Sequence, residues 1–223
     1  IIGYNNSGIV DNVRTMFIHF AKDEVSVEAA RSQICGLGNI GGIIGATSLT
    51  KGTTISGCKN NATIQYKGRK SAAVEVGVGG IVGRINALTT TDATTVENCI
   101  NEVNGLIDNQ GCTTKDLGVG GIIGMTLRGN IVVNGCKNYG TIQQTGNLAK
   151  AYHTKRTAVG NGFGGIVGIN RQIYLLTNCE NYGQISIANE KVEGVYLYVG
   201  GVVGWALSEE KNSGSTYGAF TMK

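Results

Sequence analysis

A glycine-rich pentapeptide, Gly-Gly-Ile/Val-Ile/Val-Gly, occurs five times in this chain of 223 residues. Its copies occupy residues 41–45, 79–83, 120–124, 164–168 and 200–204. Successive copies begin 38, 41, 44 and 36 residues apart, and a clipped copy, Ile1-Ile2-Gly3, opens the chain. A recurring period of about 20 to 50 residues is typical of tandem-repeat proteins, in which each repeat packs mainly against its neighbours. The pentapeptide therefore predicts a stacked architecture.

A second element, Cys-x-Asn, follows each of the first four pentapeptides. Its members are Cys58 and Asn60, Cys99 and Asn101, Cys136 and Asn138, and Cys179 and Asn181. A third, isoleucine-containing element comes next in every repeat: Thr63-Ile64, Leu106-Ile107, Thr141-Ile142 and Gln184-Ile185. Such short strand-like pieces cannot form a sandwich alone, but stacked at about 4.8 Å they bury a continuous core.

We therefore expect an all-β fold, a parallel β-solenoid similar to a right-handed β-helix, with about five to six coils. Each repeat of 36–44 residues is expected to form one coil of three strands. Two shorter coils or a β-hairpin unit in each repeat is the alternative. Residues 1–223 are expected to form a single repeat domain, with four regular repeats over 41–199. Residues 1–40 and 200–223 would then be degenerate terminal coils, and 23–32 is the best candidate for a short capping helix.

The two motifs also predict which residues form the interior. The apolar pair of the pentapeptide, the Cys and the following Ile are expected to point inward. The flanking glycines are expected to permit positive φ and close backbone approach, and the Asn after each Cys to tolerate the left-handed region and to pair along the stack. In the first coil, Arg14 falls about where the Cys would be.

The four cysteines of the Cys-x-Asn elements are expected to form one buried column that belongs to the structural core. Cys35 and Cys112 fall in variable segments and are the candidates for exposed thiols or a loop disulfide. The chain has no Cys-x-x-Cys pair, and its two histidines, His19 and His153, lie in unlike contexts. We therefore expect no metal site and no cofactor.

The string Gly-Gly-Ile-Val-Gly at 164–168, followed by Asn-Cys-x-Asn-x-Gly-x-Ile within 177–185, resembles the GLUG-type repeat. That repeat occurs in large secreted and cell-surface proteins, mainly bacterial, including adhesin-like proteins and non-catalytic regions of surface proteases. The resemblance covers nearly the whole chain except roughly residues 14–37. It implies an extracellular or cell-surface location and work in display, as a stalk or in adhesion, and it supplies no catalytic residues.

Composition and charge narrow the function further. The net charge of +4 is spread over the segments between motifs, so we expect no nucleic-acid partner. The chain has no run of 18 apolar residues, so we expect no transmembrane helix. Glu97 and Glu102 are the two carboxylates that could converge near a turn, as a polysaccharide-cleaving enzyme would need. We interpret them as surface charge and expect no enzyme activity.

Aromatic residues in the second half suggest contacts with sugars. Tyr139 and Tyr182 hold equivalent places in successive repeats, and Trp205 lies in the same half of the chain. Such rings could stack on glycans, although stacking between coils explains the same pattern.

The expected function is a non-catalytic structural or adhesive segment, that is, a stalk, an adhesin or a fibre-forming subunit. Its partners would be copies of itself or flanking repeats stacked end to end, with glycans or a host surface as further partners. A carbohydrate-active β-helix enzyme or a glycan-binding module is the alternative. Because the sequence starts within a repeat, we expect it to be a piece of a longer polypeptide.

Overall fold

The chain forms five parallel β-sheets in a computed structural model. The structure describes residues 2–5, 10–14, 33–36, 38–48, 52–68, 75–87, 93–111, 116–146, 160–188, 196–207 and 221–222. The predicted helix at 23–32 lies outside these residues, as do Cys112 and the side chain of Cys35. We number the sheets 1 to 5 in the order in which the chain visits them within one coil.

Each sheet collects one strand from every coil that reaches it. Sheet 1 contains β4 (Ile40–Gly41), β9 (Val76–Gly79), β14 (Leu117–Gly120), β19 (Gly160–Gly164) and β24 (Tyr196–Gly200). Sheet 2 contains β1 (Ile2–Asn5), β5 (Ile44–Thr47), β10 (Val82–Ile85), β15 (Ile123–Thr126), β20 (Val167–Asn170) and β25 (Val203–Ala206). Sheet 3 contains β2 (Val10–Asp11), β6 (Thr54–Ser56), β11 (Thr94–Glu97), β16 (Ile131–Asn134), β21 (Ile173–Thr177) and β26 (Thr221–Met222).

The two remaining sheets follow the Cys of each repeat. Sheet 4 contains β7 (Lys59–Asn60), β12 (Ile100–Asn101), β17 (Lys137–Asn138) and β22 (Glu180–Asn181). Sheet 5 contains β3 (Gln33–Gly36), β8 (Thr63–Tyr66), β13 (Ile107–Asn109), β18 (Ile142–Gln144) and β23 (Ile185–Ile187).

The parallel β-solenoid with one coil per repeat is confirmed. Equivalent residues of successive repeats are directly paired, as Val96 is with Ile55 and Val133 in sheet 3. This pairing is parallel and spans one whole repeat, so a β-hairpin or two coils in each repeat is excluded.

The coil contains five short strands instead of the predicted three. The difference arises because the chain turns a corner within each predicted motif, so one motif contributes to two strands. The second pentapeptide ends β9 at Gly79, turns at Gly80 and Ile81, and begins β10 at Val82. The Cys-x-Asn element likewise turns between β11 and β12.

Positive φ occurs at a different position from the one predicted. In the described part of the chain, no pentapeptide glycine and no Asn after a Cys has positive φ. Instead, the residue immediately before each Cys adopts it: Gly57 (59°), Asn98 (52°), Gly135 (62°) and Asn178 (54°). Gly and Asn alternate there because both tolerate the left-handed region. The left-handed turn therefore separates sheet 3 from sheet 4.

The interior contains two hydrophobic columns that run along the stack. The first is formed by the apolar pairs of the pentapeptides, the inward residues of sheet 3 and the cysteines. The second lies between sheets 1 and 5 and includes Tyr66 and Phe163, both fully buried. Both pentapeptide residues Ile81 and Val82 are also fully buried, as predicted for the apolar pair.

Candidate functional site

A ladder of asparagine side chains supports the corner between sheets 4 and 5. The Nδ2 atom of Asn60 donates to Oδ1 of Asn101 at 2.8 Å, and Asn101 donates in the same way to Asn138 at 2.8 Å. Asn138 continues the ladder to Asn181 at 2.7 Å. The first three asparagines are fully buried, and Asn181 is half-buried in the last of these coils. The predicted ladder residues are thus brought into one hydrogen-bonded column.

The second glycine of each pentapeptide lies against this ladder. A Cβ on Gly80 would lie 2.9 Å from Oδ1 of Asn101, and one on Gly42 would lie 2.6 Å from Oδ1 of Asn60. Such distances leave no room for a side chain. The two sequence motifs therefore occur together because one fills the space that the other leaves empty.

The four cysteines also form a column, and none of them is in a disulfide. Cys58, Cys99 and Cys136 are fully buried, and Cys179 is half-buried. A hydrogen bond with the Cys99 thiol, together with burial, raises the pKa of the Cys58 thiol. Cys58 therefore stays protonated and packs as a small apolar group.

Outside the ladder, the residues that follow each Asn form an outward column. Its members are Asn61, Glu102, Tyr139 and Tyr182. The rings of Tyr139 and Tyr182 lie one coil apart and stack, with centroids separated by 5.1 Å and planes inclined by 5°. Their exposed fractions are 40% and 63%. The two predicted glycan-contact tyrosines are therefore neighbours on the surface.

A small network of charged and polar groups contacts the stacked tyrosine rings on one side. The hydroxyl of Tyr182 donates to Oε2 of Glu180 at 2.6 Å, and Nζ of Lys137 lies 3.1 Å from the same oxygen. The hydrogen bond from Tyr182 and the pairing with Lys137 lower the pKa of Glu180, so this carboxylate is ionised at neutral pH. The network orients the outer ring of the stack.

On the other side of the two stacked tyrosine rings, the surface has a step that is formed by a longer turn. Asn101 and Ile107 are six residues apart, whereas Asn138 and Ile142 are four apart. The extra residues form a protruding turn in which Val103 has an exposed fraction of 75%.

Glu102, at the base of this turn, is bound by Arg14 from the first coil. Nη2 of Arg14 donates to both carboxylate oxygens at 2.8 Å. The ion pair, Val103 and the tyrosine stack together line an open groove of 640 Å³, which we call the tyrosine groove.

The third aromatic candidate lies elsewhere. Trp205 is on β25, and its ring stacks on Tyr198 of β24 with centroids 4.6 Å apart. It covers Gly160 of the preceding coil, because a Cβ on that glycine would collide with the indole. Trp205 therefore belongs to an aromatic cluster on sheets 1 and 2 and does not line the tyrosine groove.

The structure places one of the two carboxylates considered for catalysis on sheet 3 and the other directly after a strand of sheet 4. Glu97 lies on β11 in register with Ser56 and Asn134 of sheet 3. Glu102 follows β12 and is engaged by Arg14. The two carboxylates therefore do not occupy equivalent positions on paired strands.

Arg14 and Val103 are groove residues that sequence reasoning missed. The alignment of Arg14 with the cysteines was wrong by one residue. Val10 pairs with Ile55 and Arg14 with Lys59, so Val13 takes the place of the Cys and Arg14 faces outward beside the ladder. The two-residue difference in turn length is the sequence signal that could have indicated the step at Val103.

Five parallel sheets, built from strands that recur about every 40 residues, place the chain in the class of β-solenoid repeat proteins. No known protein family, curated protein or solved structure matches this chain. Within the described ranges, no group of three or more His, Cys, Asp or Glu side chains is arranged to hold a metal ion. The same residues include no helix with the length and apolarity needed to cross a membrane.

Proposed function

We propose that this chain is a non-catalytic structural or adhesive repeat segment of an extracellular or cell-surface protein. It would serve as a stalk, an adhesin or a fibre-forming subunit. The observation that carries the proposal is that the described residues leave room for another coil of the same kind next to the last described coil; we call this space the open seat.

The second glycine of the pentapeptide marks where a further coil would lie. Inside the stack, the second glycine of each coil lies against the backbone oxygen of its equivalent in the next coil, as Gly121 does with Gly165 and Gly165 with Gly201. A Cβ on Gly201 itself would meet no described atom within 4 Å. No described residue thus occupies the space that a further coil would fill at this glycine.

An exposed apolar residue, Val199, lies at the same end. Val199 of β24 is in register with Phe163 of β19. Phe163 is fully buried, whereas Val199 has an exposed fraction of 52%. Covering Val199 with another coil would remove its apolar surface from water, as happens to Phe163 within the stack.

Unpaired strand edges point to the same partner. Among the described residues, β22, β23, β24 and β25 each pair with a strand on one side only. Open edges of this kind are templates for a further parallel strand. Six strands of a sheet span only about 24 Å at the usual strand spacing. A stalk or fibre therefore requires further coils, either from flanking repeats or from a second copy of the chain.

The extracellular location rests on the resemblance to the GLUG-type repeat. The non-catalytic nature is supported by the engagement of Glu102 with Arg14 and by its separation from Glu97 in the sheets. A glycan-binding module is the second candidate, because the tyrosine groove is a concave aromatic site.

Sedimentation velocity over a range of concentrations, with electron micrographs of the same samples, tests the end-to-end contact. We expect the wild-type chain to form larger species or filaments as its concentration rises. Gly201→Ala should reduce this association without lowering the free energy of unfolding, because its Cβ points into the open seat. A chain that stays monomeric throughout would contradict the fibre-forming version.

A screen for cleavage of polysaccharides tests the non-catalytic claim. We expect no turnover of neutral or acidic polysaccharides. Turnover that disappears in Glu97→Ala or Glu102→Ala would show that the chain is an enzyme, which is the competing hypothesis.

A further inference from the structure

We propose that the tyrosine groove binds a neutral sugar chain through Tyr139 and the Arg14–Glu102 pair. The proposal deepens the adhesive part of the function proposed above, on which it rests, and does not require end-to-end stacking. The occupant is a polymer of uncharged pyranose rings.

The tyrosine stack supplies the apolar surface. Because the two rings are parallel and lie in adjacent coils, Tyr182 covers one face of Tyr139. The next residue of the outward column below Tyr139 is Glu102, whose carboxylate is held by Arg14. In the described part of the chain, the side of Tyr139 that faces the step is therefore lined by a polar pair and by no third ring. Aromatic faces of this kind pack against the CH groups of sugar rings.

The groove has a volume that is usual for a ligand site. Its volume of 640 Å³ falls within the range of about 300–1,000 Å³ that is usual for ligand pockets. The protruding turn at Val103 and Asn104 forms one wall, and the tyrosines form the other. Of the four described turns between sheets 4 and 5, only this one is lengthened, so the concavity is a local departure from the regular repeat.

The charges that line the groove favour a neutral ligand. Among the described residues that line the groove, Arg14 and Glu102 are the charged ones, and their formal charges cancel. Arg14 binds Glu102 through one terminal nitrogen, Nη2, whereas a guanidinium group has five N–H donors in all. Asn61 and Asn104 add amide groups to the lining. Paired donors and acceptors without net charge suit hydroxyl groups better than carboxylates or sulfates.

The scaffold beneath the groove is pre-organised. Glu102 and Tyr139 each follow a ladder asparagine that is fully buried and hydrogen bonded to the adjacent coils. Their backbone N–H groups also donate across coils, from Glu102 to the Asn60 oxygen and from Tyr139 to the Asn101 oxygen, both at 2.8 Å. A rigid site loses little conformational entropy when it binds.

Calorimetric titration with soluble polysaccharides tests the proposal. The probes are a β-glucan, a mannan and a galactan as neutral chains, and polygalacturonate as an acidic one. We expect at least one neutral probe to bind and polygalacturonate to bind more weakly. Failure of all three neutral probes to bind, or tighter binding of polygalacturonate, would overturn the proposal.

Two groove variants and one matched control locate the binding. Tyr139→Ala removes the ring, and Val103→Glu places a charge on an exposed wall residue at little risk to the fold. Tyr139→Ala should weaken binding of the neutral probe about tenfold, the upper end for one aromatic contact, and Val103→Glu should weaken it as well. Tyr174→Ala removes an exposed tyrosine of β21 outside the groove and should leave binding unchanged. Groove variants that bind like the wild type, or equal weakening by Tyr174→Ala, would overturn the assignment.

Gly201→Ala separates this proposal from the stacking of coils. The variant should bind the sugar like the wild type even where it abolishes end-to-end association, because Gly201 is not part of the groove. Loss of sugar binding in Gly201→Ala would show that binding depends on assembly and would contradict a site contained in one chain.

Discussion

The side-chain amide of Asn101 donates to Oδ1 of Asn138, at 2.8 Å and one coil away. The same amide group also donates to the backbone oxygen of Gly105 at 3.0 Å, while its oxygen accepts from Asn60. One buried side chain thus joins three coils and closes its own turn. Because the amide has both a donor and an acceptor, the pattern can be repeated without limit along a parallel stack.

Asn101→Ala should lower the free energy of unfolding by about 2–4 kcal/mol, because it leaves a buried donor on Asn60 and a buried acceptor on Asn138 without this partner. Denaturant unfolding followed by circular dichroism measures the change. Asn104→Ala, at an exposed asparagine of the following turn, is the matched control and should have little effect. Equal losses in the two variants would mean that the ladder contributes nothing specific.

Gly121→Ala should destabilise the fold by about 2–3 kcal/mol, which is typical of a side chain forced into a filled space. Its Cβ would collide with the backbone oxygen of Gly165 and lie 2.5 Å from Cγ of Asn138. Gly201→Ala changes the equivalent glycine of the last described coil, where a Cβ would meet no described atom within 4 Å, and should leave stability nearly unchanged. Thermal unfolding of the two variants side by side makes the comparison. A neutral Gly121→Ala would refute the close contact between the pentapeptide and the ladder.

Arg171→Ala should cost about 3–5 kcal/mol, because it leaves two partly buried carboxylates without their cation. Arg171 pairs through Nη1 with Oε1 of Glu75 at 2.8 Å and through Nη2 with Asp116. These residues belong to three successive coils, so the ion pairs clamp the stack. Lys137→Ala, which breaks the exposed pair with Glu180, should produce no measurable change in a urea titration. If both variants unfold at the same urea concentration, the clamp is not stabilising.

Asp108 should make the fold sensitive to acid. Burial acts to raise the pKa of this carboxyl group, but hydrogen bonds from Thr145, Gln65 and Gln110 outweigh burial and lower it below the usual 3.8. A lowered pKa in the folded state means that the ionised form stabilises the fold above pH 3.8 and that this contribution is lost as the pH falls further.

Asp108→Asn tests this dependence. The free energy of unfolding, measured between about pH 5 and about pH 2, should fall less steeply in the variant than in the wild type. The variant should also be less stable at neutral pH, because an amide is a weaker acceptor than a carboxylate. Parallel pH profiles for the two proteins would show that another group controls acid unfolding.

The tyrosine groove could be predicted from the sequence only in part. Tyr139 and Tyr182 hold equivalent positions in successive repeats. The sequence therefore indicates that they are neighbours, because stacked coils bring equivalent residues together. Arg14 and Glu102 are 88 residues apart and belong to different motifs, so no local pattern connects them. Trp205 was grouped with the tyrosines by its place in the chain, but its strand belongs to another sheet.

The sequence by itself determined the stack, because a recurring motif in parallel coils can satisfy its backbone hydrogen bonds only when equivalent residues pair. The period, the coil count and the Asn and Cys columns all follow from that. Only the tertiary structure decided that each coil has five strands, that Asn98 and its equivalents carry the left-handed turn, and that Val13 replaces the cysteine in the first coil. Corners form where the backbone of one coil bends against the next, and the groove forms where turns of unequal length meet. Both depend on contacts between coils, which a single repeat does not contain.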